Sequence, residues 1–455
     1  MPVEVVIKNG QIVSPEGIVS MDIAIDSGKI VAIGRADVLP EARKVIDAKG
    51  NHVMPGAIDA HSHIGWPDWP IGKAYEEDTK AAAIGGVTTV IDRLTLPPGS
   101  LTDQIFGKAG RKEIVEKNAH VDFAFQACLF TMEHIEEIPD LVNSGVIGFK
   151  FYLPYRGPEA VPPMVGIDDG VVYCGFKKIA EVGYPAFAQI HAENIEIFFK
   201  LKAQFIKEKK DVTWADSRPN FAEIEPLIRC GYFSKITGCP VYVVHMSAAE
   251  GPQTVSKLRG EGATLIAETC PQYLTLTKSN TDKVLGKVNP PLRTAKDNQA
   301  MWEGIRQGIV TNLGSDHAPC ALKHKKELWS AIVGFAGIET MLPVMLSEGV
   351  NRGRISFEKL VEIACYNNAK QFGLLPRKGT ISVGSDADIV IVDLKKKVTV
   401  TADKLHHISN FTPYEGWKIK GWPVLTMVRG KVVMEDGKIT SKPGWGMYIP
   451  GTVAG

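Results

Sequence analysis

The feature that most constrains the fold is a series of eight short apolar segments, each with the composition of a β-strand, that alternate with longer stretches of helical spacing. The ends of these segments fall near His63, Asp92, Ala127, Lys150, His191, His245, Thr269 and Asp316. Strands that alternate with helices in this way are typical of parallel β/α units. Eight units over roughly 320 residues fit a (β/α)8 barrel with insertions, so we predict a TIM barrel over residues 56–375.

Both ends of the chain have a different sequence pattern, in which short β-rich runs are joined by tight turns. Asn9-Gly10 separates apolar runs near the N-terminus, and near the C-terminus a run over Leu425–Val433 precedes Asp436-Gly437. Turns of this kind join antiparallel strands. Residues 1–55 and 376–455 are therefore predicted to form one small β-sandwich domain, which gives an α/β fold with a barrel and a sandwich built from both termini.

The charge balance and the cysteine pattern indicate which binding partners and which cellular compartment to expect. The chain has 52 Lys and Arg against 51 Asp and Glu, a formal net charge of +1, which offers no electrostatic reason to expect nucleic acid or an anionic membrane as a partner. Seven cysteines without a Cys-x-x-Cys pair indicate reduced thiols and a cytoplasmic protein. The apolar stretch 331–346 is interrupted and too short to span a bilayer, so we expect no membrane segment.

Histidine and acidic side chains close several of the predicted strands, at the rim where barrel enzymes place their active sites. A single histidine at a strand end is more often a structural residue, but here the ordered set is His61, His63, Lys150, His191, His245 and Asp316. His61 and His63 lie two residues apart and therefore point to one side of their strand. Four imidazoles and a carboxylate are ligands that zinc and similar ions prefer, and their number favours two metals over one.

The chain resembles the cyclic amidohydrolase branch of the amidohydrolase superfamily. It is similar over almost its whole length to hydantoinases and dihydropyrimidinases, with allantoinases and dihydroorotases as relatives. The matching motifs are Pro55–His63, Gly85–Thr89, Gly148–Lys150, His191–Asn194, Glu268–Leu274, Asn289–Arg293, Gly314–His317 and Gly379–Asp388. The resemblance implies ring opening of a hydantoin, a dihydropyrimidine or a similar cyclic ureide or imide by a hydroxide that bridges two metals.

The resemblance also implies a ligand set. Lys150 would be an N6-carboxylysine that bridges two divalent ions, with zinc as the expected metal. Its carbamate would replace an ammonium, which two cations would repel. The first ion would be held by His61, His63 and Asp316 and the second by His191 and His245.

Two residues are expected to take part in the reaction itself, Asp316 because of its place beside the metal-bound water and Tyr155 because of the resemblance. Asp316 would accept the proton of the attacking water and later pass it to the leaving nitrogen. Tyr155, five residues after Lys150, matches a family tyrosine that stabilises the oxyanion. Ordinary loop packing is the alternative role for Tyr155.

The departures from the family pattern bear on the substrate. Dihydroorotases resemble His-x-His-x-Arg at the first motif, whereas this chain has Gly65 at the arginine position and so lacks the planar cation that would hold a carboxylated ring. Asn289, where hydantoinases usually have serine and dihydroorotases asparagine, is expected to bind an amide or imide edge; capping a turn is its alternative role. Trp66, Trp69 and Tyr152 are expected to line an aromatic wall around a ring substituent, with simple packing as the alternative.

Two classes of function remain open at this point. The first is a cyclic amidase acting on a small molecule, with allantoin as the alternative substrate and dihydroorotate less favoured. The second is a non-enzymatic scaffold related to dihydropyrimidinase, which the complete set of six ligand positions disfavours. Because relatives are commonly tetramers, we expect a homo-oligomer, either a tetramer or a dimer.

Overall fold

The structure is a computed structural model that describes residues 2–65, 69–160 and 162–452. Its strands are β1 (Val3–Lys8), β2 (Gln11–Ser14), β3 (Gly17–Ser20), β4 (Asp22–Asp26), β5 (Lys29–Gly34), β6 (Ala42–Asp47), β7 (His52–Pro55), β8 (Ala57–Ser62), β9 (Val87–Leu94), β10 (Asp122–Cys128), β11 (Gly148–Tyr152), β12 (Phe187–His191), β13 (Val241–Val243), β14 (Leu265–Thr269), β15 (Asn312–Leu313), β16 (Ile389–Thr399), β17 (Lys418–Val428), β18 (Lys431–Glu435) and β19 (Lys438–Ile439). The α-helices are α1 (Ile71–Ile84), α2 (Leu101–Phe106), α3 (Arg111–Glu116), α4 (Met132–Glu136), α5 (Ile138–Asn143), α6 (Asp169–Val182), α7 (Ile195–Lys207), α8 (Asn220–Thr237), α9 (Gly251–Gly260), α10 (Pro271–Thr275), α11 (Ala295–Arg306), α12 (Met341–Val344), α13 (Phe357–Val361) and α14 (Asn367–Gln371). Short 3-10 turns lie at Gly157–Glu159, Trp214–Ser217, Leu322–His324 and Ala402–Lys404, and π-helical segments at Met345–Val350 and Glu362–Tyr366.

The central sheet is the predicted barrel. Its eight strands run in the order β15-β14-β13-β12-β11-β10-β9-β8, and each pair of neighbours is parallel. The barrel closes between β8 and the segment that follows β15, through a parallel bridge between Ser62 and His317, next to which the His63 backbone N–H donates to the His317 carbonyl at 2.7 Å. Every residue of β9, β10, β11 and β12 is buried, as expected for parallel strands covered on both faces. The predicted (β/α)8 architecture is confirmed.

Helices such as α1, α6, α8 and α9 pack against these strands from outside. Phe151 on β11 packs edge to face against Phe176 on α6, with ring centroids 5.5 Å apart. The helix α11 begins with a capping box, in which Asp297 accepts the Thr294 backbone N–H at 3.0 Å and so satisfies a donor that the first turn leaves unpaired. Within the described part of the chain, no helix combines the length and the apolar character that a bilayer crossing requires.

The strands from the two termini form two further sheets. One has seven strands in the order β19-β18-β17-β16-β7-β2-β3, and the other has four in the order β5-β4-β1-β6. The N-terminal β7 joins the C-terminal β16 in antiparallel register, so both ends contribute to the larger sheet. A shared core that includes Ile7, Ile25, Val53, Ile389 and Met427 lies between the two sheets. The fold class is confirmed; the domain division at 55/56 and 375/376 stays a prediction.

One strand expected near the C-terminus is divided in two. The run Leu425–Val433 contains a turn at Arg429-Gly430, where φ is +47° and +75°, so that β17 ends at Val428 and β18 begins at Lys431. A left-handed conformation suits Gly430 because it has no Cβ. The apolar residues on both sides concealed this turn in the sequence.

Candidate metal centre

His61, His63 and Asp316 come together at the carboxyl end of the barrel. The Nε2 atoms of His61 and His63 are 3.2 Å apart, and Asp316 Oδ1 lies 3.3 Å from the first and 3.5 Å from the second. One ligand atom from each of the three residues falls within 4.8 Å of the others. The alternation of side chains along β8 places the two histidines on one side, and closure of the barrel brings in the aspartate.

His191 and His245 form the second half of the cluster. His191 ends β12 and His245 follows β13 by two residues. Their facing atoms, His191 Nδ1 and His245 Nε2, are 3.1 Å apart. The His245 ring also stacks on that of His61, with centroids 5.1 Å apart, so the four imidazoles form one continuous group.

Lys150 lies on β11 and is fully buried. Among the described residues its Nζ atom has no hydrogen-bond partner, and it sits 4.9 Å from the centre of the Tyr152 ring. Burial, together with the neighbouring Arg93, lowers the pKa of Lys150 well below its usual value. A buried amine without a partner is costly. This unsatisfied atom beside four imidazoles and a carboxylate fits a site that is completed by cations.

Two buried carboxylates hold the histidines from behind. Glu268 Oε1 lies 2.8 Å from His61 Nδ1, and Glu193 Oε2 lies 2.6 Å from His191 Nε2. In each ring the carboxylate occupies one nitrogen and leaves the other facing the centre, an arrangement that fixes the tautomer of metal ligands. Both residues belong to motifs named from the sequence, but the sequence analysis assigned them no role. A role was indicated by the position of Glu268 inside an apolar strand and of Glu193 two residues after the candidate ligand His191.

The charge state of these groups follows from burial. Burial raises the pKa of Glu268 to about 7, although Arg93 opposes the shift. Burial alone would also raise the pKa of Glu193, but Arg218, whose Nη1 lies 3.2 Å from Glu193 Oε2, and His191 hold it at about 2. Burial raises the pKa of Asp316 to about 6 against the opposing effect of Lys150. Burial and the neighbouring charged groups therefore both set the charge state of the site.

Two of the candidate ligands have unusual backbone conformations. His245 has a φ of +40° and Asp316 a φ of +50°, a region that non-glycine residues rarely adopt. Strained residues of this kind cluster at functional sites. The neighbouring His317 is turned away, because its Nδ1 accepts the Gly337 backbone N–H at 3.1 Å and its Nε2 lies 3.1 Å from Asp78.

A cavity of about 350 Å³ opens above this cluster. His63, His191, His245 and Asp316 line its floor, and Tyr152, Tyr155 and Asn289 line it as well. The volume is at the lower end of the range for small-molecule sites. The structure thus gathers these three predicted contact residues and four of the six candidate ligands around one space.

Tyr155 and Asn289 are bonded to each other. Asn289 Nδ2 donates to the Tyr155 hydroxyl oxygen at 3.2 Å, and Asn289 Oδ1 accepts from Trp214 Nε1 at 2.8 Å. Trp214 was not singled out from the sequence, because no local pattern relates it to Asn289.

The predicted aromatic wall is assembled only in part. Tyr152 is buried, with its ring centroid 6.4 Å from that of His63. Trp69 is half-buried and packs against the main core, and it is absent from the part of the cavity lining that the described residues form. Trp66 lies outside the described residues.

Comparison with known proteins gives a consistent result. The amidohydrolase family model matches residues 187–433. The chain is 36% identical to the L-hydantoinase of Paenarthrobacter aurescens over 98% of both chains, and 34% identical to the allantoinase of Bacillus licheniformis over 98% of this chain and 99% of that protein. Its structure is similar to that of the L-hydantoinase (dihydropyrimidinase) from Arthrobacter aurescens, with a TM-score of 0.91 at 36% identity and coverage of 98% and 100%.

Proposed function

Since the chain belongs to the amidohydrolase family, we propose that it hydrolyses a cyclic amide bond in a metal-dependent reaction of the hydantoinase or dihydropyrimidinase type. The observation that carries this proposal is the cluster of four histidines, Lys150 and Asp316, of which His63, His191, His245 and Asp316 line one cavity. Similarity to a hydantoinase along almost the full chain supports the same reaction.

The proposed cofactors are two divalent ions, with zinc as the expected metal. We assign His61, His63 and Asp316 to one ion and His191 and His245 to the other, with Lys150 as an N6-carboxylysine between them. When bound, such ions supply Lewis acidity that activates a water and polarises a carbonyl. The unpartnered Lys150 Nζ supports this assignment, because a carbamate at that buried position would offer anionic oxygen atoms as metal ligands.

The protein groups then move one proton and stabilise one charge. Asp316 takes a proton from the attacking water and returns it to the leaving ring nitrogen. Tyr155 donates its hydroxyl hydrogen to the oxygen that becomes negative during the attack. Because the Asn289 amide has a second N–H hydrogen and a second oxygen lone pair, its predicted bond to the substrate amide edge remains compatible with its contacts to Trp214 and Tyr155.

The proposed substrate is an uncharged five- or six-membered ring, either a hydantoin or a dihydropyrimidine. Gly65 lines the cavity where dihydroorotases have arginine, and Lys202, one of the basic residues in the lining, pairs with Glu159 at 2.7 Å. Allantoin is the alternative substrate, supported by the similarity to an allantoinase. Recognition of a ring substituent by Trp66, Trp69 and Tyr152 stays a prediction.

We further propose a cytoplasmic homo-oligomer, a tetramer or a dimer. Large apolar side chains stand along the outer face of α8, with exposed fractions of 60% for Phe221, 49% for Ile228, 58% for Tyr232 and 51% for Ile236. Their spacing of seven, four and four residues keeps them on one helix face, and exposed apolar patches mark protein contacts. Light scattering of the purified protein measures the number of chains directly.

A substrate panel combined with metal analysis tests the proposed function. The purified protein is assayed for ring opening of hydantoins, dihydrouracil, allantoin, dihydroorotate and cyclic imides, with the Lys150→Ala variant as the blank. We expect about two metal ions per chain and turnover of at least one uncharged ring. A folded protein with no bound metal and no turnover would instead be a scaffold.

A further inference from the structure

Asn289 lies between Trp214 and Tyr155 at the wall of the cavity. The Trp214 indole N–H donates to Asn289 Oδ1 at 2.8 Å, and Asn289 Nδ2 donates to the Tyr155 hydroxyl oxygen at 3.2 Å. Trp214 and Asn289 are each only 4% exposed. A buried relay of two hydrogen bonds therefore ends on the oxygen of a side chain that lines the cavity.

The direction of this relay is fixed by chemistry. An indole nitrogen can only donate, so the amide oxygen of Asn289 must face Trp214. The amide nitrogen of Asn289 must then face Tyr155, and the phenol oxygen must accept. A phenol oxygen that accepts a hydrogen bond keeps its own hydrogen available for another acceptor, and that hydrogen is the one required at a developing oxyanion.

Trp214 is itself held firmly. Its ring lies 4.0 Å from Lys287 Nζ and 4.9 Å from the Arg218 guanidinium carbon, contacts that attract a cation to an aromatic face. The Phe198 ring meets it edge to face with centroids 5.2 Å apart. Arg218 also pairs with Glu193, the carboxylate behind His191. The anchor of the relay is thus built into the same framework that holds one of the metal-facing histidines.

We propose that Trp214 and Asn289 are a positioning pair that orients the Tyr155 hydroxyl, so that its hydrogen points into the cavity and its oxygen is occupied from behind. This inference rests on the proposed function, since it requires Tyr155 to donate to the oxyanion. Orientation of the Tyr155 hydroxyl supports the transition state and contributes little to substrate binding. Loss of the Trp214 donor therefore lowers kcat and leaves KM nearly unchanged, whereas a substitution of Asn289, which is also proposed to bind the substrate amide edge, raises KM as well.

The first test removes the indole donor and retains the aromatic ring. In Trp214→Phe the Asn289 amide is no longer fixed. We expect kcat to fall about tenfold, which corresponds to the loss of one hydrogen bond, and KM to change by less than about twofold. The matched control is Trp302→Phe, because Trp302 is also 4% exposed and its Nε1 donates to the Leu274 carbonyl at 2.9 Å. That control loses an equivalent buried bond away from the cavity and keeps its kcat.

The second test reverses the relay. In Asn289→Asp the side chain accepts from both neighbours and takes the hydroxyl hydrogen of Tyr155 away from the substrate, so we expect kcat to fall roughly 100-fold, more than the loss of one neutral bond. Both substitutions are then repeated in a Tyr155→Phe background. A pair that acts through Tyr155 causes no further loss of kcat there, and the metal content of every variant stays that of the unsubstituted protein.

The outcomes separate the two proposals. Absence of ring opening by the unsubstituted protein overturns the proposed function. An active protein in which Trp214→Phe keeps its full kcat, or in which either substitution slows turnover by the same factor with and without Tyr155, overturns the positioning pair alone. Full activity of Tyr155→Phe overturns the positioning pair and the role of Tyr155 while leaving the hydrolase intact. Equal loss in Trp214→Phe and Trp302→Phe also overturns the pair, because the effect would then be general destabilisation.

Discussion

Two buried lysines, Lys150 and Lys378, show how differently the two ends of the barrel are built. Lys150 lies near the carboxyl end of β11, and its Nζ has no hydrogen-bond partner among the described residues. Lys378 is equally buried, but its Nζ lies 2.5 Å from Asp122, 3.0 Å from Asp386 and 2.6 Å from Asp388. Asp122 is the first residue of β10, so this second cluster lies at the opposite end of the strands.

The electrostatic consequences are opposite. Burial would lower the pKa of Lys378, but Asp388, Asp122 and Asp386 raise it above its usual value, whereas burial and Arg93 lower the pKa of Lys150 far below that value. The three aspartates alone have the spacing of a metal site, but the Lys378 ammonium already satisfies them. The cluster at the amino end satisfies its own charges, whereas the one at the carboxyl end leaves Lys150 Nζ without a hydrogen-bond partner among the described residues. This difference follows the general division of barrels into a stabilising face and a reactive face.

Removal of the unpartnered lysine should have the largest effect on activity. We expect Lys150→Ala to abolish turnover and lower metal content. Removal of a proposed ligand shared by two ions should lower metal affinity by more than the roughly 10- to 100-fold expected for a residue that only supports a ligand. The free energy of unfolding of the metal-free protein should be unchanged or higher, since an unpaired buried amine is lost. Metal analysis, turnover and urea unfolding check this. Substantial residual turnover would show that Lys150 is not a ligand.

Removal of the partnered lysine should have the reverse effect. Lys378→Met leaves buried carboxylates without their central cation and should lower the free energy of unfolding by about 3–5 kcal/mol. Lys178→Met is the control, because the Lys178–Glu136 pair at 2.6 Å is solvent-exposed, and its loss should leave the free energy of unfolding nearly unchanged. Metal content of the folded fraction should be the same in both variants. A Lys378→Met protein as stable as the control would remove the distinction between the two clusters.

The contrast also marks what the sequence could predict. The eight strands and the gathered positions of His61, His63, Lys150, His191, His245 and Asp316 were readable, because apolar runs and the period of two are local signals. The contacts that hold these side chains in place could not be predicted from the sequence. Glu268 meets His61 across 207 residues of sequence, and Asp122 meets Lys378 across 256. Such pairs depend on barrel closure and on the packing of the terminal strands, which no local pattern specifies.

A smaller effect is expected where a carboxylate only supports a ligand. Glu193→Gln keeps the shape of the side chain but removes the charge beside His191 and Arg218, and we expect metal affinity to fall about 10- to 100-fold. Competition with a chromogenic chelator measures this. The control is Glu196→Gln, three residues along the chain, where Glu196 pairs with the exposed Arg156 at 2.7 Å. Equal affinities in the two variants would show that Glu193 does not hold His191.

The smallest effect concerns acid stability at the completed cluster. Burial would raise the pKa of Asp386, but Lys378, Lys29 and Arg377 lower it to about 2 from 3.8. A carboxyl group whose pKa is lower in the folded state stabilises the fold above its unfolded pKa, and this contribution is lost as pH falls from about 4 to about 2. Unfolding measured over that range should therefore show a loss of about 1–2 kcal/mol that Asp386→Asn lacks. An identical pH dependence in the variant would mean that the cations at this end of the barrel do not act through Asp386, and the cluster would no longer be a set of charges satisfied by its own lysine.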